Sequence, residues 1–126
     1  MQFKIAIETD WRLTKNGMKR TPPRTLQGLT RRFREKAHKL ASQKKSPTWQ
    51  TLSKADILIT SYYARRPMDY DGLACSVAPV IDGLVDAGIL EDDSPNHVEN
   101  YSMKFVKVPK MKDVKVKVCI SSVRDS

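Results

Sequence analysis

The chain has no lysine or arginine between Pro67 and Met103, although 23 of its 126 residues are basic. The same stretch carries eight of the fourteen acidic residues of a protein whose formal net charge is +9. These acids are Asp69, Asp71, Asp82, Asp86, Glu91, Asp92, Asp93 and Glu99. Solubility does not require such a separation of charge. The separation predicts two surfaces with different partners, one for a polyanion and one for a divalent cation.

Other features are also scarce. The two cysteines, Cys75 and Cys119, form no spacing motif, and reduced thiols are expected. Among the five glycines there is no phosphate-binding loop, and no zinc motif is present. No window approaches the roughly 18 apolar residues of a membrane span, and the first residues do not resemble a signal peptide. We therefore expect a soluble cytoplasmic protein without a membrane partner.

The positive charge is concentrated in two places. Residues 11–45 hold twelve of the 23 lysines and arginines and only one acid, and a second basic set lies between Lys104 and Lys117. This distribution favours nucleic acid as the partner. Positive charge that serves solubility alone is the plain alternative. An anionic membrane surface is a weaker choice, because no stretch combines a basic face with apolar anchors.

Hydrophobic periodicity predicts one α/β domain over residues 1–126. Alternating apolar residues indicate strands, and an apolar stripe with a helical period indicates each of two main helices. The segment 10–24 is polar and basic and predicts a loop. The predicted elements are a strand at 3–7, a helix at about 25–43, a strand at 55–63, a helix at about 70–87 and strands at 98–108 and 114–120. The order β-α-β-α-β-β predicts a mixed sheet.

The second predicted helix carries acids on the side opposite its apolar stripe. At about 100° per residue, that side collects Asp71, Cys75, Ala78, Asp82 and Asp86. Simple alternatives stay open for these acids. A solvated helix face accounts for the later ones, helix capping for the early ones, and turn chemistry for the Asp92–Asp93 pair.

Together these segments resemble a known pattern. Residues 68–73 read Met-Asp-Tyr-Asp-Gly-Leu, residues 81–90 read Ile-Asp-Gly-Leu-Val-Asp-Ala-Gly-Ile-Leu, and residues 91–94 read Glu-Asp-Asp-Ser. They resemble the signature of the RusA-type Holliday junction resolvases, which has an Asp-x-Asp-Asn start, an Asp-Gly/Ala-Leu centre and a later Asp-Asp pair. The resemblance is specific over about 30 residues, from Arg65 to Ser94, and elsewhere rests on element order and basic charge.

The resemblance implies a homodimeric, Mg²⁺-dependent endodeoxyribonuclease that resolves four-way DNA junctions, with Mn²⁺ as a substitute metal. It implies that Asp69, Asp71 and Asp93 are catalytic metal ligands and that Asp82 and Asp92 are supporting acids. We expect the three ligand carboxylates to converge on one cation. Such a metal would activate water and stabilise the leaving oxygen.

Two positions depart from the family pattern. Gly72 replaces the family asparagine, and Ala78 stands where longer-spaced members have a lysine. Losing one electrostatic group of this kind costs on the order of 100- to 1000-fold in rate. The neighbouring Arg65 and Arg66 are candidate substitutes. The alternative function is therefore a catalytically weak or inactive RusA-like DNA-binding protein.

Phosphate contacts are expected from basic residues outside the acidic stretch. A sequence-independent grip on the DNA backbone needs exposed cations and no base contacts. The candidates are Arg24, Arg31, Arg32, Arg65, Arg66, Lys104 and Lys107. A third class of function, a protein-interaction module, predicts no DNA affinity.

Overall fold

A four-stranded mixed β-sheet forms the centre of the protein. The structure is a computed structural model that describes residues 1–8 and 10–123, without the side chains of residues 11, 15 and 16. The strands are β1 (Gln2–Ile7), β2 (Ala55–Tyr63), β3 (Val98–Lys107) and β4 (Lys115–Ser122), in the order β1-β4-β2-β3. The predicted fold class, element order and mixed sheet are confirmed.

Strand direction follows from how the strands are connected. β4 is antiparallel to both β1 and β2, whereas β2 and β3 are parallel. Parallel neighbours need a crossover connection, which helix α3 (Tyr70–Asp86) provides. In β1 the apolar residues alternate with exposed ones, so that Phe3, Ile5 and Ile7 all point into the core.

Two further helices precede β2, α1 (Lys15–Arg20) and α2 (Pro23–Lys44). The prediction of a loop over residues 10–24 was therefore wrong. Thr14 caps α1, because its hydroxyl accepts a hydrogen bond from the backbone N–H of Gly17 at 3.1 Å. Leu13, just before the cap, is fully buried. One buried side chain and one capping threonine stabilise a helix too short to show a hydrophobic period.

The helices α2 and α3 lie on the same side of the sheet and pack closely against each other. Ala37 and Ala41 of α2 are fully buried and share one hydrophobic cluster with Leu73, Val77 and the inward residues of the strands. A side chain at Gly83 of α3 would collide with the backbone carbonyl of Arg34 and with the Ala37 methyl group. Small residues at the crossing point therefore set how close the helices come.

Helix α3 continues through Pro79 to Asp86, and Gly88 follows its C-cap residue Ala87. Gly88 has φ of +77°, the left-handed conformation that glycine commonly provides just after a helix. The chain then bends toward Ile89, whose N–H donates to the carbonyl of Leu84 at 3.0 Å. Within the described residues, no helix combines the length and apolar character that a membrane crossing requires.

Candidate functional site

The first two acids of the motif lie at the beginning of α3. Asp69 is the N-cap residue, and its Oδ1 accepts a hydrogen bond from the backbone N–H of Gly72 at 2.6 Å. Asp71 lies in the first turn and is exposed. Both carboxylates are also favourably placed near the positive end of the helix dipole. Capping thus accounts for one oxygen of Asp69 and leaves the Asp71 carboxylate facing solvent.

An aromatic pair lies beside these acids. Tyr70 is 67% exposed, and its ring meets Phe105 of β3 edge to face, with centroids 5.2 Å apart. The ring contact joins the start of α3 to the edge strand of the sheet. Sequence analysis missed this pair, although the alternation of Met103 and Phe105 along β3 places both on the helix side.

The later acids form a second group near the other end of α3. Burial is the largest cause that raises the pKa of Asp82, and the nearby charge of Asp93 is the next. Asp93 also helps to raise the pKa of Tyr101 on β3, after burial of the phenol. The Asp93 carboxylate is therefore close enough to Asp82 and Tyr101 to act on both. Sequence analysis did not identify Tyr101 as a neighbour of the acids.

Asp92 has a local role. Its Oδ1 accepts a hydrogen bond from the backbone N–H of Asp93 at 2.9 Å, and this bond holds the pKa of Asp92 below its usual range. An aspartate that binds the following backbone amide is ordinary turn chemistry. The hydrogen bond fixes the direction in which the Asp92 carboxylate points.

Asp86 is engaged by a residue that sequence analysis did not single out. The guanidinium of Arg34 on α2 donates to both carboxylate oxygens of Asp86, at 2.6 and 2.9 Å. The hydrogen bonds from Arg34 lower the pKa of Asp86. The interpretation of Asp86 as part of a merely solvated helix face is therefore incomplete, because the residue also ties α3 to α2. No sequence signal distinguishes Arg34 from its basic neighbours on the helix.

The carboxylates fit Mg²⁺ in chemical type, since that ion prefers oxygen ligands. The positions of these carboxylates, however, do not form a metal-binding group. Among residues 1–8 and 10–123, no three His, Cys, Asp or Glu side chains are grouped so that they could hold a metal ion. The expected convergence of Asp69, Asp71 and Asp93 is thus not seen, and we derive no chemical step through a metal. Magnesium binding stays a prediction.

The basic candidates are distributed over three places. Arg24, Arg31 and Arg32 are exposed along α2, on the same side of the sheet as α3. Arg65 and Arg66 are exposed in the loop between β2 and α3. The remaining two candidates lie on β3. Lys107 is at the end of that strand, and Lys104 points away from the helices.

The structure also shows where Gly72 and Ala78, the two departures from the RusA-type pattern, lie on α3. Ala78 is exposed on the same stripe of α3 as Asp71 and Asp82. A Cβ atom at Gly72 would lie 2.8 Å from Oδ1 of Asp69, the end of a side chain that can shift. A larger residue at position 72 would therefore move the capping carboxylate slightly.

A scan against models of known protein families finds no match for this chain, and a search of curated proteins finds none either. The resemblance to the RusA-type resolvases therefore rests on the motif residues between Arg65 and Ser94 and, elsewhere, on element order and basic charge.

Proposed function

We propose that this protein is a RusA-like, structure-selective endodeoxyribonuclease that acts on four-way DNA junctions, depends on Mg²⁺ and works as a homodimer. One observation supports it above the others. Beyond the effect of burial, Asp82 of α3 is close enough to Asp86 and to Asp92 and Asp93 of the next loop for their charges to raise its pKa, and α3 packs against a helix that presents exposed arginines. A site that cuts a phosphodiester needs both features next to each other.

In this proposal the two kinds of side chain have different tasks. Asp69, Asp71 and Asp93 are the metal ligands, and Asp82 and Asp92 support them. Exposed arginines on α2 and in the β2–α3 loop hold the backbone through phosphate contacts, which position DNA without reading its sequence. A four-way junction has two-fold symmetry, so a dimer with two equivalent sites matches it.

A DNA-binding relative without nuclease activity is the second candidate. A specific observation favours it, since the described residues include no group of three ligands placed for a metal. The family asparagine and lysine are also absent, with Gly72 and Ala78 in their positions. This candidate retains the DNA surface of α2 and predicts binding without cleavage.

Cleavage of a supercoiled plasmid that extrudes a cruciform tests the proposal. We expect linear product with Mg²⁺ or Mn²⁺ and none with EDTA, while Asp71→Asn protein leaves the plasmid intact. Binding of the same junction by gel shift is measured in parallel. Binding without cleavage in either metal would establish the second candidate, and absence of both would favour a protein-interaction module.

A further inference from the structure

The sheet has one face that the helices do not cover. Side chains alternate between the two faces of a strand, and the apolar residues of β1 and β4 that enter the core lie on the helix side. The residues between them point the other way. We call this second surface the open face; it includes Lys4, Leu58, Thr60, Tyr62, Ser102, Lys104, Lys115, Lys117 and Cys119. Leu58, near its middle, is 39% exposed.

Strand register places four lysines around the centre of the open face. Thr60 of β2 pairs with Lys117 on one side and with Lys104 on the other. At about 4.8 Å between neighbouring strands, the backbones of these two lysines are about 10 Å apart. Lys4 pairs with Cys119 one row away, and Lys115 is two residues from Lys117 along β4. Lysines from three strands therefore share one surface.

These positive charges lack acidic partners. Among the described residues, none of the four lysines forms a salt bridge. Lys115 lies over the Tyr62 ring, 5.4 Å from its centroid, which leaves its charge uncompensated. The acid of β2 on this face, Asp56, is near the far end of the strand and accepts hydrogen bonds from Asn100. A second copy of the chain would bring like charges together, whereas a polyanion would be attracted.

The open face is separated from the arginines of α2 by the thickness of the sheet. Arg31 and Arg32 therefore lie on one side of the sheet, and Lys104 and Lys117 lie on the other. A branched DNA has several arms and can contact both sides. We propose that the open face binds the phosphate backbone of one DNA arm while the α2 side binds another. This inference rests on the proposed DNA partner and is independent of whether the protein cuts DNA.

The two cysteines provide a test, because they report on opposite sides of the sheet. Cys119 lies on the open face and Cys75 on the outward stripe of α3, and both are free and partly exposed. Alkylation of each thiol by N-ethylmaleimide is followed by mass spectrometry, with and without an excess of a four-way junction. We expect the junction to slow the alkylation of Cys119 several-fold. The protein concentration is chosen so that, without DNA, the alkylation rate of Cys119 does not change with protein concentration.

The other outcomes separate this inference from the proposed function. A junction that shifts in a gel yet slows only Cys75, or neither cysteine, overturns the open-face site and leaves DNA binding intact. Slower Cys119 alkylation on raising protein concentration without DNA shows that a second copy covers the face, and it also overturns the inference. Absence of any gel shift refutes the proposed function itself.

Charge variants give an independent measurement. The double variant Lys104→Gln with Lys117→Gln should lower the salt dependence of junction binding by about 1.8 per monomer, because each lost phosphate contact contributes about 0.9. The matched control, Lys19→Gln with Lys54→Gln, removes the same charge from exposed residues outside the strands. It should leave the slope unchanged. Equal slopes for the two double variants would overturn the inference.

Discussion

The helices α2 and α3 pack against each other but carry opposite charge. Helix α2 has seven lysines and arginines and a single acid, Glu35. Helix α3 has three acids and no basic residue. Across their contact, Arg34 of α2 forms an ion pair with Asp86 of α3. Most of the charge on both helices is therefore left to face solvent, where it can act on a partner.

The difference shows how a small protein can keep two incompatible surfaces close together. Carboxylates repel phosphate, and arginines attract it. The uncharged crossing at Ala37 and Gly83 lets the helices approach closely without pairing their charges. In the proposed function, α2 then holds the DNA backbone, and α3 together with the residues that flank it supplies the acids.

Introducing the two residues of the RusA-type pattern should produce the largest change on the acidic side. In the proposed function, the double variant Gly72→Asn with Ala78→Lys should raise junction cleavage by up to about 100- to 1000-fold, since it places an electrostatic group near the phosphate that reacts. Gly72 does not use positive φ, so the backbone permits asparagine there, although its Cβ atom requires the Asp69 carboxylate to shift. Initial cleavage rates at saturating protein measure the effect.

The control for this double variant has an uncharged side chain of similar size at position 78. Gly72→Asn with Ala78→Gln should recover much less of the rate than the lysine variant. Equal rates for the wild type and both variants would mean that other groups already supply these roles, or that the acidic site is inactive for another reason.

The contact between the helices can be broken at its closest point. Gly83→Ala should lower the free energy of unfolding by about 1–3 kcal/mol, because the added methyl group overpacks against the α2 backbone. Urea unfolding followed by circular dichroism measures it. Gly28→Ala is the matched control. No atom lies within 4 Å of its new methyl group, so it should stabilise α2 by about 0.5–1 kcal/mol. A neutral Gly83→Ala would disprove the tight crossing.

The proposed DNA surface of α2 is tested by removing two of its candidate phosphate contacts. Arg31→Ala with Arg32→Ala should weaken junction binding and reduce the salt slope by about 1.8 per monomer if both contacts are real. Gel shifts over a salt series give the slope, and the Lys19 and Lys54 double variant is again the control. An unchanged slope would move the DNA surface away from α2, to the lysines of the β3 and β4 strands.

The ion pair between the helices should have a small effect that depends on pH. The pKa of Asp86 is lowered in the folded protein by hydrogen bonds from Arg34. The pair therefore contributes stability above the unfolded pKa of Asp86 and loses it as pH falls through the folded pKa. Asp86→Asn should lower the melting temperature slightly at pH 7, and the difference should disappear in acid.

The substitution Asp82→Asn should have the opposite effect on the melting temperature. Burial and then Asp93 raise the pKa of Asp82, so its charged form is disfavoured in the folded state. Removing that charge should raise the melting temperature at pH 7 in EDTA, with no difference below the unfolded pKa. A lower melting temperature for this variant would show that the charged form of Asp82 stabilises the folded protein.

Sequence reasoning predicted the elements with long periodic patterns. The alternation in β1 and β4 and the apolar stripe of α3 each follow from burial on one side of an element, which leaves a direct mark on the sequence. Helix α1 was missed, because a short helix held by its cap and one buried leucine has no such period. Helix capping, one of the alternatives given for the early acids, is found at Asp69, since a cap depends only on local backbone geometry.

Contacts between elements were harder to predict. The pair of Arg34 with Asp86 depends on how α2 and α3 are rotated about each other, and small residues at the crossing set that rotation. The neighbours of Asp93 depend on the path of the loop after α3. The strand order and register must be known before one can see that the lysines of β3 and β4 share one face.

One measurement tests most directly whether the acidic surface is needed for cleavage while the basic surface binds DNA. The same labelled four-way junction is bound and then cleaved with Mg²⁺ by wild-type protein and by Asp93→Asn. We predict that Asp93→Asn abolishes cleavage while junction affinity is unchanged or higher, because in the proposed function Asp93 is a metal ligand and carries a negative charge near phosphate. Loss of binding together with cleavage would show that the acid stabilises the fold, and undiminished cleavage would show that Asp93 is not part of a nuclease site.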